Sequence, residues 1–586
     1  MLGRLSLSVF IAGLALVTGA EAARGEKHLG CYYGVWAYTR PGLGEFWPED
    51  IDVELCDVIY YGFGNILNDT YEVCSWDPWF DMSMEIDGPD GTIANCVQER
   101  DGDAWIPGCV TESGLNYCNY DGIRRTVALK EKNPNLKVFF SVGGWTAGGW
   151  IFSQMAETAE RRHKFIKSAV HFVQHFNLDG IDLDWEFPGY DMLPEVPTNP
   201  DDKEHFTLLL KEMREAFDVD GKMITIAAAA DPFKANNAYE FDKIHHYLDW
   251  FNVMNYDYSG AWDNYTGIDQ PLYGRWGEGF IGHPKYQFNV HETIQHYIAK
   301  GVPAEKLSLG IHTESKGWIL AVPDNDTMAG IYCPAYEGSP NMTYSRQEGW
   351  LNYYEILQFW SNETVEDPRW DDIVLGKENW HVHDKENGNW DGCYLSPYMY
   401  QGRYWISYDD EDSVDVKVRY ANHYGLKGAF VWEVDTDNFM GMYGKPRYTI
   451  LAAIRDALVG GQGLETHEIL GSANENADCS PQAPMCDGYI CPDGDCPKAC
   501  IIDSDCNSLD DVICKPDHSN CFFCDEGTCS PGISQALFLN PSPKFTQSIF
   551  EKPENFQYFS LHFSCTIMSF PVLKQSPTSF LIASTI

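Results

Sequence analysis

Four acidic residues at a fixed spacing form the strongest chemical signal in this chain. They are Asp179, Asp182, Asp184 and Glu186, and the last three alternate with apolar residues. In a strand, residues two apart project from the same face, so three carboxyl groups share one face. Like charges this close cannot all ionise easily, so at least one pKa rises and a proton is shared. The run therefore predicts a general acid, with Glu186 as the proton donor because it is the outermost and longest of the three.

Two simpler interpretations of this run compete with catalysis. It could be a solvated acidic strand end, or a divalent-cation site, because acidic triplets bind such cations. Four acids at this spacing, followed by Phe187-Pro188-Gly189, favour the catalytic interpretation. In that interpretation Asp184 lies between Glu186 and Asp182 and can relay the proton.

The acidic run needs a buried strand to hold it, and the chain offers a repeating set of strands. Between residues 28 and 460, eight short β-rich apolar runs alternate with mostly helical stretches. Such alternation predicts a parallel sheet, and eight repeats predict a closed (β/α)8 TIM barrel. Barrel enzymes keep their chemistry at the C-terminal ends of the strands, which is where the acidic run ends. The runs lie near residues 29–36, 57–64, 137–144, 179–186, 223–230, 250–257, 307–313 and 427–433.

Two connections are longer than a simple barrel needs. Residues 66–118 follow the second strand, and residues 314–405 separate the seventh and eighth strands. Loops of this length in a compact domain are usually functional, and loops that leave strand C-termini surround the active-site face. The first loop contains Cys74, Cys96, Cys109 and Cys118, whose pairing the sequence leaves open.

Composition and charge narrow the range of ligands. The 586 residues are 44% hydrophobic, and the formal net charge is −45. Nucleic acids and anionic membranes need a positive surface, so neither is an expected partner. A neutral polymer is compatible with this charge. The 19 Trp and 33 Tyr fit a carbohydrate, since sugar faces stack on aromatic rings.

The two ends of the chain differ from the middle. Residues 1–22 have the features of a secretory signal peptide, with Arg4, an apolar run and the Ala20-Glu21-Ala22 cleavage motif. We therefore expect a secreted, extracellular protein, in which the 19 cysteines are candidates for disulfides. The same compartment suits the N-glycosylation motifs at Asn68, Asn264, Asn325, Asn341 and Asn362.

The expected domain order follows from these changes in composition. A catalytic barrel over residues 23–460 precedes a linker over 461–478, a cysteine-rich segment over 479–529 and a tail over 530–586. The cysteine-rich segment is too small for a core and must depend on disulfides. Its Cys521-Phe-Phe-Cys524 motif could suggest zinc, but export favours disulfides. The tail has little helical or strand patterning and is expected to be poorly ordered.

At the acidic run the sequence resembles the glycoside hydrolase family 18 chitinases, whose motif is D-x-x-D-x-D-x-E. The resemblance continues in order over nearly all of residues 28–460. It implies a barrel with an α+β insertion at about 314–405 after the seventh strand. It also suggests that the cysteine-rich segment targets chitin, with a spacer or a protein-interaction module as alternatives. The matching segments are CYYGVW at 31–36, FSVGGW at 140–145, VMNYD at 253–257 and GAFVW at 428–432.

The resemblance implies hydrolysis of β-1,4-linked N-acetylglucosamine in chitin, with a retaining, substrate-assisted mechanism and an oxazolinium intermediate. Glu186 would be the acid, Asp184 would steady the acetamido nitrogen and Asp182 would take up the proton balance. Tyr256 would hydrogen-bond the acetamido oxygen. No cofactor and no metal are implied, and a monomer would bind chitin or chito-oligosaccharides. The implied substrate-binding residues are Tyr32, Phe63, Gly144, Trp145, Met254, Asp257, Trp262 and Trp432, with Ser141 and Asp179 in support. The implied disulfides are Cys31–Cys56 and Cys333–Cys393.

Phe187 replaces the commoner tyrosine after the acid, and two positions that would contact substrate also depart from the family pattern. Where the chitinases usually carry a tyrosine and an arginine that contact substrate, this chain carries Glu314 and Lys316. The resemblance therefore does not predict how the aglycone side of the site binds sugar or which substrate is preferred. A non-catalytic chitin-binding lectin of the same fold and an endo-β-N-acetylglucosaminidase acting on N-glycans are alternative functions. Retention of Glu186, Asp184 and Tyr256 favours an active enzyme over a lectin.

Overall fold

The computed structural model describes residues 27–82, 94–95, 120–190, 198–274, 284–321, 330–361, 370, 373–464, 524–525 and 528–529. The chain divides into two units, Met1–Gly527 and Thr528–Ile586, and the barrel lies in the first. The expected signal peptide, most of the linker and the tail lie outside the described residues. So does the cysteine-rich segment, apart from the short strands Cys524–Asp525 and Thr528–Cys529.

Up to residue 464, the described part of the first unit runs from a strand to a helix. Its strands are β1 (His28–Gly34), β2 (Val58–Ile66), β3 (Val73–Ser75), β4 (Ala94–Asn95), β5 (Lys137–Gly143), β6 (Gly180–Asp184), β7 (Met223–Ala228), β8 (Trp250–Val253), β9 (Leu307–His312), β10 (Glu314–Leu320), β11 (Ala335–Gly338), β12 (Trp350–Asn352), β13 (His381–His383), β14 (Tyr398–Gln401), β15 (Tyr404–Ser407) and β16 (Gly428–Trp432). Its helices are α1 (Pro78–Asp81), α2 (Gly122–Ala128), α3 (Gly149–Glu157), α4 (Ala159–His175), α5 (Asp202–Phe217), α6 (Pro232–Ala238), α7 (Phe241–Ile244), α8 (Val290–Ala299), α9 (Tyr353–Trp360), α10 (Glu411–His423) and α11 (Thr449–Gly460).

The eight predicted strands all form and close into a parallel barrel. Its strands are β1, β2, β5, β6, β7, β8, β9 and β16, and β16 pairs with β1 to close the ring. The register is regular where β6 pairs with β5, since Asp182 lies opposite Ser141 and Asp184 opposite Gly143. The predicted (β/α)8 barrel is confirmed.

Two barrel strands end earlier than the sequence indicates. β6 ends at Asp184 and β8 ends at Val253. After β8 the chain turns tightly, because Asn255 N–H donates to the Val253 carbonyl at 2.8 Å and Asp257 has a φ of 59°. The expectation that the whole acidic run lies on the strand is therefore wrong for Glu186, which lies just beyond β6. Tyr256 and Asp257 likewise lie on the loop that follows β8.

The helices cover the barrel with apolar faces. α4 begins after Thr158, whose hydroxyl accepts the Arg161 N–H at 3.3 Å as an N-cap. Apolar side chains three and four residues apart form one buried stripe on α4 and another on α5, as in amphipathic helices. The buried apolar residues of these two helices are Phe165, Ile166, Ala169, Phe172, Val173, Phe206, Leu209, Leu210, Met213 and Phe217.

The interior of the barrel is filled by large side chains with paired polar atoms. Tyr32, Tyr60, Phe139, Trp250 and Phe430 belong to one buried cluster inside the ring. The Tyr60 hydroxyl accepts a hydrogen bond from Trp250 Nε1 at 2.8 Å and donates to an asparagine of β8 at 3.1 Å. The barrel interior is therefore filled by side chains, and a site is expected above it, at the C-terminal ends of the strands.

The insertion between β9 and β16 is an α+β unit, as the resemblance implies. Its six-stranded sheet has the order β11-β10-β15-β14-β13, with β12 also paired to β10. The pairs β10–β15 and β14–β15 are antiparallel, and α9 adds the helix. Separate apolar clusters include Trp318 and Trp405 on the one hand, and Leu351 and Ile406 on the other.

Five cysteines between residues 27 and 464 are disulfide-bonded. Cys31 and Cys56 form the implied disulfide, with a Cα–Cα distance of 5.9 Å. Cys74, Cys333 and Cys393 are also disulfide-bonded, and the Cys333–Cys393 pairing stays a prediction. Other expected sites lie outside the described residues: Cys96, Cys109, Cys118, Asn325 and Asn362. Among the helices that the structure describes, none is both long and apolar enough to cross a membrane.

Candidate active site

Asp182 is the deepest member of the acidic run and is surrounded by hydrogen-bond donors from four strands. Its carboxylate accepts bonds from Tyr32 Oη at 2.8 Å, Ser141 Oγ at 2.7 Å and Thr225 Oγ1 at 2.6 Å. The fourth donor is Asn252 Nδ2 at 3.3 Å. Burial raises the pKa of Asp182, and these donors partly offset the rise by stabilising the carboxylate.

Asp184 lies two residues after Asp182, at the C-terminal end of β6, and is almost fully buried. Burial, the charge of Glu186 and the charge of Asp182 together hold the pKa of Asp184 well above its usual range. In the described part of the chain, its Oδ1 atom has no hydrogen-bond partner. A buried acceptor without a partner is costly, so Oδ1 is suited to a donor on a ligand.

Glu186 is half-buried just beyond the end of β6. Burial and the neighbouring charge of Asp257 raise its pKa to about 8, while Lys234 opposes the rise. A carboxyl with this pKa is protonated at neutral pH and can act as a general acid. The role of Glu186 as the proton donor stays a prediction.

Glycines let the end of β5 approach the acidic strand. Gly143 has a φ of +121°, and a Cβ there would lie 2.1 Å from the Asp184 carbonyl oxygen. Gly144 donates its N–H to that same oxygen at 3.0 Å. The Gly143-Gly144 pair thus shapes the strand end, and Gly144 also packs beside the Phe63 ring.

An aromatic floor lies across the barrel mouth. The Trp432 ring is stacked with Phe63 at 5.7 Å and is tilted against Tyr32 at 5.7 Å. Trp36 completes this group at 6.1 Å from both Trp432 and Phe63. Trp36 was not among the predicted binding residues, although its position at the end of the CYYGVW segment is the signal that could have indicated it.

Two tryptophans on the loops above the strands are exposed. Trp145 is 48% exposed on the loop after β5, and Trp262 is 55% exposed on the loop after β8. Exposed tryptophans beside a cleft offer flat apolar faces, which suit stacking with sugar rings. Met254, by contrast, is half-buried and packs against the barrel-interior cluster.

Tyr256 and Asp257 are held by a network of charged residues that the sequence did not indicate. Tyr256 stacks on His312 with ring centroids 4.9 Å apart. Asp269 accepts the Asp257 N–H at 2.9 Å and faces His312 Nδ1 at 2.7 Å. The departures at Glu314 and Lys316 complete this network: Glu314 Oε2 lies 3.0 Å from His312 Nε2, and Lys316 Nζ lies 2.6 Å from Asp257 Oδ1.

Asp179 is not brought to this site. It precedes β6, at the opposite end of the strand from Glu186. Its carboxylate accepts the Val138 N–H at 2.8 Å and pairs with Lys130. Asp179 therefore supports strand pairing at the opposite end of the barrel. The length of β6 separates it from the site.

Comparison with known proteins places these residues in a family. Residues 28–437 match the model of the glycosyl hydrolases family 18. Chitotriosidase-1 of Mus musculus is 30% identical over 453 residues, which are 76% of this chain and 80% of the mouse protein. Among solved structures, Ostrinia furnacalis Group IV chitinase in complex with allosamidin shares 30% sequence identity with this chain and superposes on it with a TM-score of 0.61. That match covers 74% of this chain and 100% of the insect one.

A similar fold also occurs without catalysis. Human YKL-39, described as a pseudo-chitinase with retained chitooligosaccharide binding properties, is 26% identical with a TM-score of 0.57. The match covers 74% of this chain and 99% of the human one. The fold by itself therefore does not distinguish an active hydrolase from a binding protein. Support for hydrolysis has to come from the acidic residues.

Proposed function

This chain belongs to the glycosyl hydrolases of family 18, and on that premise we propose that it is a secreted chitinase. It cleaves the β-1,4 linkages between N-acetylglucosamine units of chitin or chito-oligosaccharides and retains the anomeric configuration. One observation carries the proposal: the pKa values of Asp182, Asp184 and Glu186 are all raised in one buried run. Relatives named as chitinases support the substrate class.

Glu186 supplies the proton for bond cleavage. Because its pKa is about 8, its carboxyl is protonated at neutral pH. The proton passes to the oxygen of the scissile bond as the bond to the anomeric carbon breaks, and the leaving sugar departs as an alcohol. Glu186 is then a carboxylate that can remove a proton from the incoming water.

The nucleophile comes from the substrate, so no second carboxylate is needed for that role. The carbonyl oxygen of the 2-acetamido group attacks the anomeric carbon and forms an oxazolinium ion. The unpartnered Oδ1 of Asp184 accepts the acetamido N–H, and the hydroxyl of Tyr256 donates to the acetamido oxygen. Water then opens the intermediate from the face that the leaving group vacated, which restores the β configuration.

Asp182 balances the charge behind this step. Its carboxylate accepts hydrogen bonds from Tyr32, Ser141 and Thr225, so it can hold negative charge or a proton. A proton shared between Asp182 and Asp184 can follow the movement of charge at the acetamido group. Asp184 links the three carboxyls, because the charges of both Glu186 and Asp182 raise its pKa.

Aromatic rings position the polymer. Trp432 forms the floor under the sugar at the scission point, with Trp36 and Phe63 beside it. Trp145 and Trp262, both exposed, stack neighbouring sugars. Secretion is supported by the N-terminal signal pattern and agrees with the oxidised cysteines.

The test is to incubate the wild-type chain and Glu186→Gln with N-acetylglucosamine oligomers and to follow the product anomers. We expect β products from wild type and a loss of at least about 1000-fold in kcat for the variant. Glu160→Gln is a matched control, since this glutamate is 79% exposed on the outer helix α4. An inverted product, or an undiminished Glu186→Gln, would refute the mechanism.

The same assay separates the alternative functions. A lectin would bind the oligomers without cleaving them. An endo-β-N-acetylglucosaminidase would cleave a high-mannose glycopeptide faster than a chitin oligomer. Both results would overturn the chitinase proposal, whereas faster cleavage of the chitin oligomer supports it.

A further inference from the structure

His312 is a fully enclosed histidine with a carboxylate on each ring nitrogen. Its side chain is 1% exposed, Nδ1 lies 2.7 Å from Asp269 Oδ2 and Nε2 lies 3.0 Å from Glu314 Oε2. A neutral imidazole has one N–H donor, and an ionised carboxylate only accepts. Both contacts can be hydrogen bonds only when the ring carries two protons, so this arrangement selects the imidazolium.

The charges around the ring agree with that assignment. Burial and the Lys316 charge oppose protonation, but Asp269 and Glu314 outweigh them and raise the pKa of His312 to about 9. Asp257 also faces the ring, with Oδ1 4.0 Å from Nδ1. Although burial would raise the pKa values of Asp269 and Glu314, contact with His312 holds both below their usual range.

The flat face of this cation lies against the tyrosine of the site. The His312 and Tyr256 rings have centroids 4.9 Å apart and are inclined by only 24°. The Trp350 ring also packs beside the imidazole, nearly perpendicular to it, with centroids 5.9 Å apart and an angle of 81°. A desolvated cation on an aromatic face interacts strongly with the ring.

We propose that His312 is a positioning residue: it stacks as an imidazolium against Tyr256 and fixes the phenol ring, so that the Tyr256 hydroxyl orients the acetamido oxygen of the substrate. The inference rests on the proposed function, in which that oxygen attacks the anomeric carbon.

The effect is geometric. The two carboxylates hold the imidazolium ring in place, and the ring in turn holds the phenol. The acetamido oxygen must keep a lone pair for the anomeric carbon, so the hydroxyl has to orient this oxygen rather than compete for it. The rigid stack supplies that orientation, and Asp269 extends it by accepting the Asp257 N–H at 2.9 Å.

A double-mutant cycle tests whether His312 acts through Tyr256. His312→Phe keeps an aromatic ring but removes the charge and with it both ion pairs that hold the ring, and we expect kcat to fall about tenfold with KM nearly unchanged. Tyr256→Phe is expected to lower kcat about 100-fold. The double variant should match Tyr256→Phe alone, because the stack then has no hydroxyl to orient. Multiplied losses, or a wild-type kcat in His312→Phe, would overturn the inference.

Glu314→Gln is a second variant for the case in which His312→Phe does not fold. Losing this carboxylate lowers the pKa of His312, so the imidazolium is lost at a lower pH than in wild type. The ratio of wild-type to variant kcat should therefore grow between about pH 6 and about pH 8. In a Tyr256→Phe background the ratio should stay flat, and a purely structural role for Glu314 would leave it flat in both backgrounds.

His291→Phe is the matched control. This half-buried histidine on α8 also packs against tyrosines, with its ring 5.2 Å from Tyr273 and 5.8 Å from Tyr420. It lies on the outer helical layer, and its substitution should leave kcat and the pH profile unchanged. An inactive wild type would refute the proposed function, whereas an active wild type with an unaffected His312→Phe would refute only the role of His312.

Discussion

Lys316 and Asp257 form an ion pair at the mouth of the barrel, with Nζ 2.6 Å from Oδ1. The lysine side chain is 0% exposed and the aspartate side chain is 41% exposed. The pair joins the first strand of the insertion to the loop that carries Tyr256. Because the charge of Asp257 raises the pKa of Glu186, a lysine that never contacts the acid can still tune it.

Removing the Lys316 charge should make Glu186 a weaker acid. In Lys316→Met the Asp257 charge is left uncompensated, so the pKa of Glu186 rises further above about 8. The alkaline limb of kcat/KM should move to higher pH by about half a unit to one unit. A pH profile on an N-acetylglucosamine oligomer measures this. Lys164→Met on the outer helix α4 should leave the limb in place, and a shift to lower pH in Lys316→Met would contradict the coupling.

A side chain at Gly143 should destabilise the strand ends. Gly143→Ala places a Cβ 2.1 Å from the Asp184 carbonyl oxygen and also forces alanine to a φ of +121°. We expect a loss of about 3 kcal/mol in the free energy of unfolding, measured by denaturant titration. Gly301→Ala separates the two causes, since Gly301 has a φ of +95° but open space around its Cβ position. That control should lose only about 1 kcal/mol, and equal losses would remove the steric explanation.

Removing the Tyr32 hydroxyl should make the ionised form of Asp182 less stable. The hydroxyl donates to the Asp182 carboxylate at 2.8 Å, so Tyr32→Phe raises the pKa of Asp182. If the step needs ionised Asp182, the acid limb of kcat moves to higher pH and kcat falls about tenfold. Tyr61→Phe is the control, because this buried hydroxyl donates to Asp81, away from the acidic run. An unchanged acid limb in Tyr32→Phe would exclude the proposed part of Asp182 in charge balance.

Asp81 should make the protein less stable as pH rises. Burial raises its folded-state pKa from 3.8 to about 8, so between these values the folded state binds a proton that the unfolded state has lost. Stability is then full below the unfolded pKa and decreases through this window as pH rises. Asp81→Asn keeps a neutral side chain at every pH, so it should stabilise the protein by about 2 kcal/mol near pH 8 and much less near pH 4. Unfolding free energies at the two pH values test this, with exposed Asp242→Asn as control, and a gain that is equal at both would contradict it.

The acidic run shows how far local sequence goes. Alternation with apolar residues was enough to predict that the Asp182 and Asp184 carboxyls share one side of a strand, because side-chain direction in a strand depends on neighbours in the chain. The raised pKa values were also predicted, but their main cause is burial, which the tertiary structure supplies. The exact end of the strand was not predicted. At that end the backbone of Asp184 meets Gly143, the last residue of β5, and Gly144, which follows it, and both are distant from Asp184 in sequence.

The positions or contacts of other residues were predicted wrongly or not at all, because their partners are distant in sequence. Asp179 fits the spacing of the motif but lies at the far end of its strand, beside Val138 and Lys130. Glu314 and Lys316 were recognised as departures, yet nothing local indicated that they pair with His312 and Asp257.

The sequence by itself determined the barrel, its eight strands and the carboxyl run, since strand periodicity and the chemistry of adjacent acids are properties of short segments. Only the tertiary structure decided which charges face one another behind Tyr256. His312 meets Asp269 from 43 residues away, and the pairing exists because barrel closure and the inserted sheet bring β9, β10 and the loop after β8 together. In a buried site those distances set the protonation states, and distances between remote segments are what a one-dimensional pattern does not contain.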